Sequence, residues 1–454
     1  MASGEFAAVD EQRFRAFHWR TVVTTGLGVF CDGYDLSSLG LVLPLVLTSF
    51  GIGKVSGIEA ALLAASALAG AAVGAMGFGV LGQWGRKRFY GLDVLILGLA
   101  AVAQAFVPNI AWLIAVRFVL GLGTGADYVL SPMIMAEHAN RANRGRALGL
   151  GFGTMWPLGA LVAALFKLTL DGLGVAPDLQ WRLVLGAGAV PAFAVLYLRR
   201  QMPETARYLA KLANDSTGAV AVMREISGTE VAAPAFDARP FGQVFARHAR
   251  VIFSVALLWM VYDLVVYAGI LFGPSLIAKG LSITPVHFTL MIEIIFVLPA
   301  SVLMSLFLID RMGRKPLQVW GFAASAVLLV VFAVLRAKLV ALPLLAFAVY
   351  GLFNVTQTGP GLVSGAGILG VELAPTRVRS VAQGITVAGG RIGAAISGFA
   401  FPLLFAAIGE GGAFLILAGL ALLGAILTQF LIPETSQVSL EDLTDQAPSP
   451  VAAR

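Results

Sequence analysis

The chain has 454 residues, of which 58% are hydrophobic and only 12% charged, and its mean hydropathy is +0.87. Soluble domains carry roughly 25% charged residues, so water is not the solvent for most of this surface. The net charge of +6 comes from Lys and Arg clustered between apolar runs, which reads as a topology signal, so the basic balance says little about partners and no nucleic-acid partner is expected. The single Cys31 rules out an intrachain disulfide and reads as a small packing residue. The first twenty residues lack an apolar core, so no cleavable leader is expected.

A helix needs about twenty apolar residues to cross a hydrocarbon core. The first such window, 20–48, carries Asp32 and Asp35 about 12 and 15 residues past its start, near mid-depth. Ionisable groups inside a span cost about 2.5–3.5 kcal/mol on insertion scales, which makes each a functional candidate. At i and i+3 the two acids share a helix face. Two carboxylates that close do not both ionise easily, as a proton carrier requires. The structural alternative has one Asp at a helix break beside Gly33 and the other paired with Arg117. Windows at 57–82 and 90–107 follow, joined by a turn reading GQWGRK, with Gly85 and Arg86. The fourth, 110–135, holds Arg117 and, ten residues on, Asp127 and Tyr128. Arg117 has two readings, an ion partner released when Asp32 or Asp35 protonates and a static pair joining the first and fourth helices. Gly121, Gly123 and Gly125 read as close helix packing. Windows at 145–170 and 181–199 complete a first half, 1–199.

Residues 200–249 include Glu204, Arg207, Lys211, Arg224 and Arg239 and read as a polar linker loop. The second half, 250–436, opens with a window at 250–274 in which Trp259, Asp263 and Tyr267 fall at i, i+4 and i+8 and face one way. The window 285–309 contains Glu293, open to two readings, a second proton site and a local pair, the latter favoured. After DRMGRK, with Asp310, Arg311, Gly313 and Arg314, come windows at 316–336, 341–370, 381–408 and 412–432. Asn354 and Gln357 could bond an anion or join helices. Arg391 lies about ten residues into its window, and its planar fork suits bidentate capture of carboxylate or phosphate oxygens. The alternative is a permanent salt bridge to Asp263. The tail, 437–454, is polar and contains Pro, and disorder is expected beyond Pro433.

Even-numbered windows end in basic clusters, Arg86–Lys87–Arg88, Arg141/Arg144/Arg146, Arg311/Arg314/Lys315 and Arg377/Arg379. The opposite loops offer little beyond Lys54, Lys279, Arg336 and Lys338, so both termini are expected in the cytoplasm. The halves also repeat. YDL recurs at 34–36 and 262–264 and GRK at 85–87 and 313–315, both at an offset of 228. PET recurs at 203 and 433, an offset of 230, and EHANRANRGR from Glu137 parallels ELAPTRVRS from Glu372, an offset of 235. One nearly constant period implies a six-plus-six parallel repeat.

These residues resemble the major facilitator superfamily over nearly the whole chain. Its loop signature DRxGRR is kept as DRMGRK at 310–315, whereas Gly82 stands where the first half should carry an acid, which implies a weaker gating charge network there. DGYD at 32–35 and RFVLGLGTGADYVLS at 117–131 look like the proton-coupled anion symporters, their phosphate and aromatic-acid branches in particular. The phosphate branch carries a Lys in the eleventh helix, where this chain has Arg391, and a Gln in the fifth, where it has Met155 and Trp156. The resemblance therefore implies an anion that is phosphate or a small organic acid.

The expected fold is an all-α membrane protein of twelve helices in two pseudo-symmetric six-helix halves. The expected function is secondary active symport of a small anion with protons, in a bacterial inner membrane and as a monomer. Proton coupling falls to Asp32, Asp35, Arg117 and Asp127. Substrate contact falls to Tyr128, Trp259, Asp263, Tyr267, Asn354, Gln357 and Arg391. Efflux by antiport is the alternative, although GFGTMWPLGA lacks the GP pair of efflux carriers. A receptor is remoter, because neither the linker nor the tail has room for a signalling domain. An enzyme is not expected: no nucleophile–base set, no metal site among four scattered His and one Cys, and no phosphate loop or cofactor motif is present.

Overall fold

The computed structural model describes residues 4–52, 58–272 and 277–445. Lys54 and the stretch 446–454 lie outside the described residues. All regular structure among the described residues is helical. The long helices are α1 (Ala16–Ser49), α2 (Ile58–Leu81), α3 (Leu92–Gln104), α4 (Ile110–His138), α5 (Arg141–Gly172) and α6 (Pro177–Arg200). They are followed by α7 (Phe241–Phe272), α8 (Pro285–Leu308), α9 (Arg314–Ala341), α10 (Pro343–Pro360), α11 (Arg379–Phe405) and α12 (Ala407–Leu431). Ten helical stretches among the described residues are long and apolar enough to cross a membrane. The two that fall short are α3, whose 13 residues reach about 20 Å, and α10, whose 18 residues run into a π-helical turn at Gly361–Gly365.

Several windows extend further than hydropathy alone indicates. α7 begins at Phe241, inside the stretch read as linker, because its first turns lie outside the apolar run yet keep helical bonding. The linker itself is not a bare loop. It folds into Ala206–Lys211 and Ser216–Ser227, the latter capped by the Asp215 carboxylate at its start and stopped by Gly228 at φ 68°. Their apolar faces, Ala206, Ala210, Ala219 and Met223, enclose Phe6 and Val9 of the amino-terminal turn. α11 and α12 form one helical run broken at Gly409, whose φ of 74° only glycine adopts without strain.

The glycines of α4 pack as expected. Added Cβ atoms at Gly121 and Gly125 would collide with the Ala67 and Ala71 carbonyls of α2, so the two backbones touch. Cys31 is fully buried among Ala67, Val94, Leu97 and Leu120.

The amino-terminal turn Ala7–Asp10 and the helix Leu440–Asp445 lie on one face of the molecule, with the turns at 82–91, 139–146, 309–313 and 373–378. Arg207 of the linker binds Asp10 and Glu441 at 2.8 Å each, joining the two ends of the chain. The tail was expected to be disordered beyond Pro433, and up to Asp445 it is not. Thr435 bonds Glu372, Gln437 Nε2 donates to the Asp310 carbonyl at 2.9 Å, and Arg144 donates to the Val438 carbonyl at 2.9 Å. Polar composition suggested a solvated tail, but these residues find buried partners in the turns they cover.

Candidate functional site

Three helices converge near mid-depth. α7 turns Trp259, Asp263 and Tyr267 to one side, as their four-residue spacing requires. They meet Arg391 of α11 and Tyr128 of α4. The Arg391 guanidinium carbon sits 4.1 Å from the Tyr128 ring centroid and 6.0 Å from that of Trp259. Its Nη1 donates to the Tyr267 hydroxyl at 3.1 Å and lies 3.7 Å from an Asp263 carboxylate oxygen. The last distance is an ion pair without a hydrogen bond. Arg391 Nε and that Asp263 oxygen are both buried without partners. The site therefore offers a stacked cation with spare donors beside an acid with a spare acceptor.

Asp32 and Asp35 diverge despite their spacing. Asp32 is fully buried, its charged neighbours are Asp127, Arg391 and Asp35, and neither carboxyl oxygen has a hydrogen-bond partner. Asp35, one turn further along α1, lies against Gly188, where Arg117 is its charged neighbour. Arg117 is bonded to Gln104 of α3 at 3.0 Å and makes no ion pair within 4 Å. Arg117 thus faces Asp35 alone. Asp127 is held by Arg199 of α6, which also binds Asp93 of α3, and by the Ser131 hydroxyl at 2.5 Å. The Arg199 guanidinium lies 4.1 Å from the Tyr90 ring centroid.

Asn354 does not join this cluster: its amide nitrogen bonds the Tyr350 carbonyl of its own helix at 2.8 Å. Gln357 is buried with both amide atoms unpartnered. Among the described residues no three His, Cys, Asp or Glu side chains gather as a metal site would.

On the face that carries the termini, residues before 201 and after 240 are locked by a repeated ion network. Glu137 accepts Arg86 at 3.3 Å and Arg379 at 2.8 Å, and also the Thr205 hydroxyl. Glu372 accepts Arg314 at 3.1 Å and Arg144 at 2.7 Å, and also the Thr435 hydroxyl. Each acid takes one Arg from its own repeat and one from the other. The backbone nitrogens of Lys87 and Lys315 donate to Glu204 and Glu434 in the same way, at 2.9 and 3.1 Å. Three of the four sequence repeats thus meet in one network, and the turns at Gly85 and Gly313, with φ of 135° and 96°, begin both copies. Arg311 bears no contact in it.

The Gly82 departure has a steric reason. In the second repeat Asp310 accepts the backbone N–H groups of Gly145 and Arg146 at 3.1 and 2.7 Å. In the first, Ser380 stands where Gly145 does in the other repeat, its hydroxyl donates to the Gly79 carbonyl at 2.6 Å, and a Cβ at Gly82 would collide with it. Glycine and a larger residue have exchanged sides of the contact. A weaker network was expected there: Arg86 keeps Glu137 at 3.3 Å but leaves its Nε unpartnered, and it lacks the second acid that Arg314 has in Asp310 at 2.7 Å.

The family model described as sugar (and other) transporter matches residues 21–446. The chain belongs to that family, within the major facilitator superfamily. Among its relatives, a probable inorganic phosphate transporter 1-6 of Arabidopsis thaliana is 30% identical, over 97% of this chain and 96% of the relative. A probable inorganic phosphate transporter 1-10 of Oryza sativa subsp. japonica is 31% identical, over 97% and 92%. The fold is also that of the proton:xylose symporter XylE bound to 6-bromo-6-deoxy-D-glucose, with a TM-score of 0.77 at 20% identity, over 94% of this chain and 98% of that one. The inward-open XylE of E. coli matches at 0.65, with 21% identity over 94% and 99%. The chain is a membrane transporter and not an enzyme.

In this transporter, sequence reasoning missed Asp93 and Arg199. Asp93 falls three residues into the third window and carried the same signal as the other intramembrane acids. Arg199 was hidden at a window's edge, where basic residues are counted as loop charges. Its side chain is fully buried.

Proposed function

We propose that this transporter is a proton-coupled symporter of a small anion, phosphate or an organic acid. It works by alternating access in a twelve-helix fold of two six-helix halves. The observation that carries the anion is Arg391, a buried guanidinium cradled by Tyr128, Trp259 and Tyr267 with Nε unpartnered. A fixed charge held at mid-membrane is costly unless a counter-charge meets it, and Asp263 at 3.7 Å meets it incompletely. The names of the phosphate-transporting relatives agree with an anionic substrate.

Asp32, which faces both Asp127 and Arg391, and Asp35, which faces Arg117, are the candidate proton carriers. The ion network lies about 18 Å along α11 from Arg391, twelve residues away at Arg379, and closes the terminal face in this state. Rocking of the halves would break it and open that face, taken as cytoplasmic from the basic clusters. The setting is a bacterial inner membrane, and the working unit a monomer.

Counterflow in proteoliposomes, with labelled phosphate against a panel of carboxylates and neutral sugars, tests the substrate class. Exchange of a neutral sugar with no response to any anion overturns the anion reading. For coupling, Asp32→Asn or Asp35→Asn is expected to abolish accumulation under an imposed proton gradient while exchange persists. Accumulation at the parental level in both variants assigns the proton elsewhere.

A further inference from the structure

Glu293 belongs neither to the converging cluster nor to the ion network. The residue is 8% exposed and Oε2 has no hydrogen-bond partner. No Lys, Arg or His among the described residues faces it. The expected local pair is therefore absent among them. α5 brings Leu161, Ala164 and Leu168 to this part of α8, around Val286 and Leu290. α10 brings Phe347 onto Phe296 and Tyr350 onto Phe288, and Tyr350 is the titratable group that has Glu293 in its surroundings. On α8 itself His287 is tied to Thr284 at the helix start.

The backbone is irregular at the same place. Glu293–Val297 forms a π-helical turn, a geometry that recurs at functional positions because it costs helix regularity. The turn also lies on a seam between chain segments that alternating access must separate. α5 precedes residue 201 and α8 follows residue 240. They touch at Ala164 with Val286 and Leu290, and again at Thr154 with Ser301, hydroxyl to hydroxyl at 3.2 Å. Glu293 sits between these contacts, about 12 Å from Ser301 along the helix.

An unpaired carboxylate in such apolar surroundings is costly, whereas the neutral acid is tolerated. Leu or Gln would fill the space without a group able to ionise. We infer that Glu293 is a second proton-binding carboxyl of the transport cycle, emptied and reloaded as the α5–α8 seam opens to one side and then to the other. When water reaches it, the carboxyl O–H bond breaks, the proton passes to water, and a carboxylate remains until a proton from the opposite side restores the acid. The inference rests on the proton-symport reading above and adds one proton per cycle to it.

The test is the reversal potential of substrate flux in proteoliposomes, for the parent, Glu293→Gln and Glu293→Asp. One proton fewer per cycle lowers accumulation about fifty-fold at an imposed 100 mV, from about 2.3 kcal/mol per charge. The Gln variant is expected to lose that factor and the Asp variant to keep it. If the parent shows no proton dependence, the symport reading fails and this one with it. If the parent is coupled and Glu293→Gln has the same reversal potential, or only a changed KM, this inference alone fails. Should Glu293→Gln not transport, infrared difference spectra across a pH series decide. A titrating carboxylic-acid carbonyl band present in the parent and missing from a monodisperse Glu293→Gln protein supports the assignment, and an unchanged spectrum overturns it.

Discussion

Replacing Glu137 by Gln isolates the strength of the terminal-face lock. In the closed state Glu137 holds Arg86 of its own repeat and Arg379 of the other. Opening separates Glu137 from Arg379 but leaves Arg86 beside it, so the Arg86 contact cancels between the two states. What differs is one charge-assisted bond at 2.8 Å between fully buried groups. Hydrogen bonds to charged groups contribute about 1.5–3 kcal/mol. A loss on the order of 2 kcal/mol raises the open-to-closed ratio about thirty-fold. The reporter is a cysteine at Ala382, which is fully buried behind the lock. It is placed in the Cys31→Ser background, which removes the only native thiol. In detergent, its maleimide labelling rate tracks the open population. The expected result is labelling about thirty-fold faster in Glu137→Gln, with comparable acceleration in Glu372→Gln, where Arg144 is the partner lost. Unchanged rates in both variants would refute the claim that these bonds hold the face shut.

Three further outcomes follow from the same geometry. Gly82→Asp, which installs the acid common in the family, is expected to jam the face open against Ser380, and adding Ser380→Gly is expected to restore closure by copying the Asp310–Gly145 arrangement; the Ala382 labelling rate reads both. Arg391→Lys keeps the charge but loses the fork, so affinity should fall roughly tenfold, about 1.4 kcal/mol, with Arg391→Ala showing no measurable binding by calorimetry. Burial would raise the Glu441 carboxyl, but Arg207 outweighs burial and holds it below its ordinary value, so tail docking is full above about pH 4.3 and is lost as pH falls through the lowered value. Asp10 is pushed up, by burial first, so docking of the amino-terminal turn strengthens as pH falls. Fluorophores at Thr444→Cys and Ala8→Cys should therefore respond to acid in opposite senses, and parallel responses would contradict the assignment.

The sequence alone determined the solvent, the helical class and the internal repeat. Spans of twenty apolar residues have one way to satisfy their backbone in lipid, and that does not depend on neighbours. It also named the central cluster on α7, because four-residue spacing fixes a common helix face before any packing occurs. What it could not decide was which buried charges meet. Asp32 and Asp35 share a helix yet answer to Asp127 and Arg391 in one case and Arg117 in the other. That choice is made by the side chains α4, α6 and α11 present across the interface. Arg199 and Asp93 lie 106 residues apart, and no local pattern links them. The tail looked solvated by composition and is ordered up to Asp445 because Glu372, Asp310 and Arg207 need partners there. Gly82 looked like a lost charge, and its close contact with Ser380 became visible only in the fold. Periodicity is a property of one helix, whereas the pairing of buried charges is a property of the assembled bundle, and only the tertiary structure supplies it.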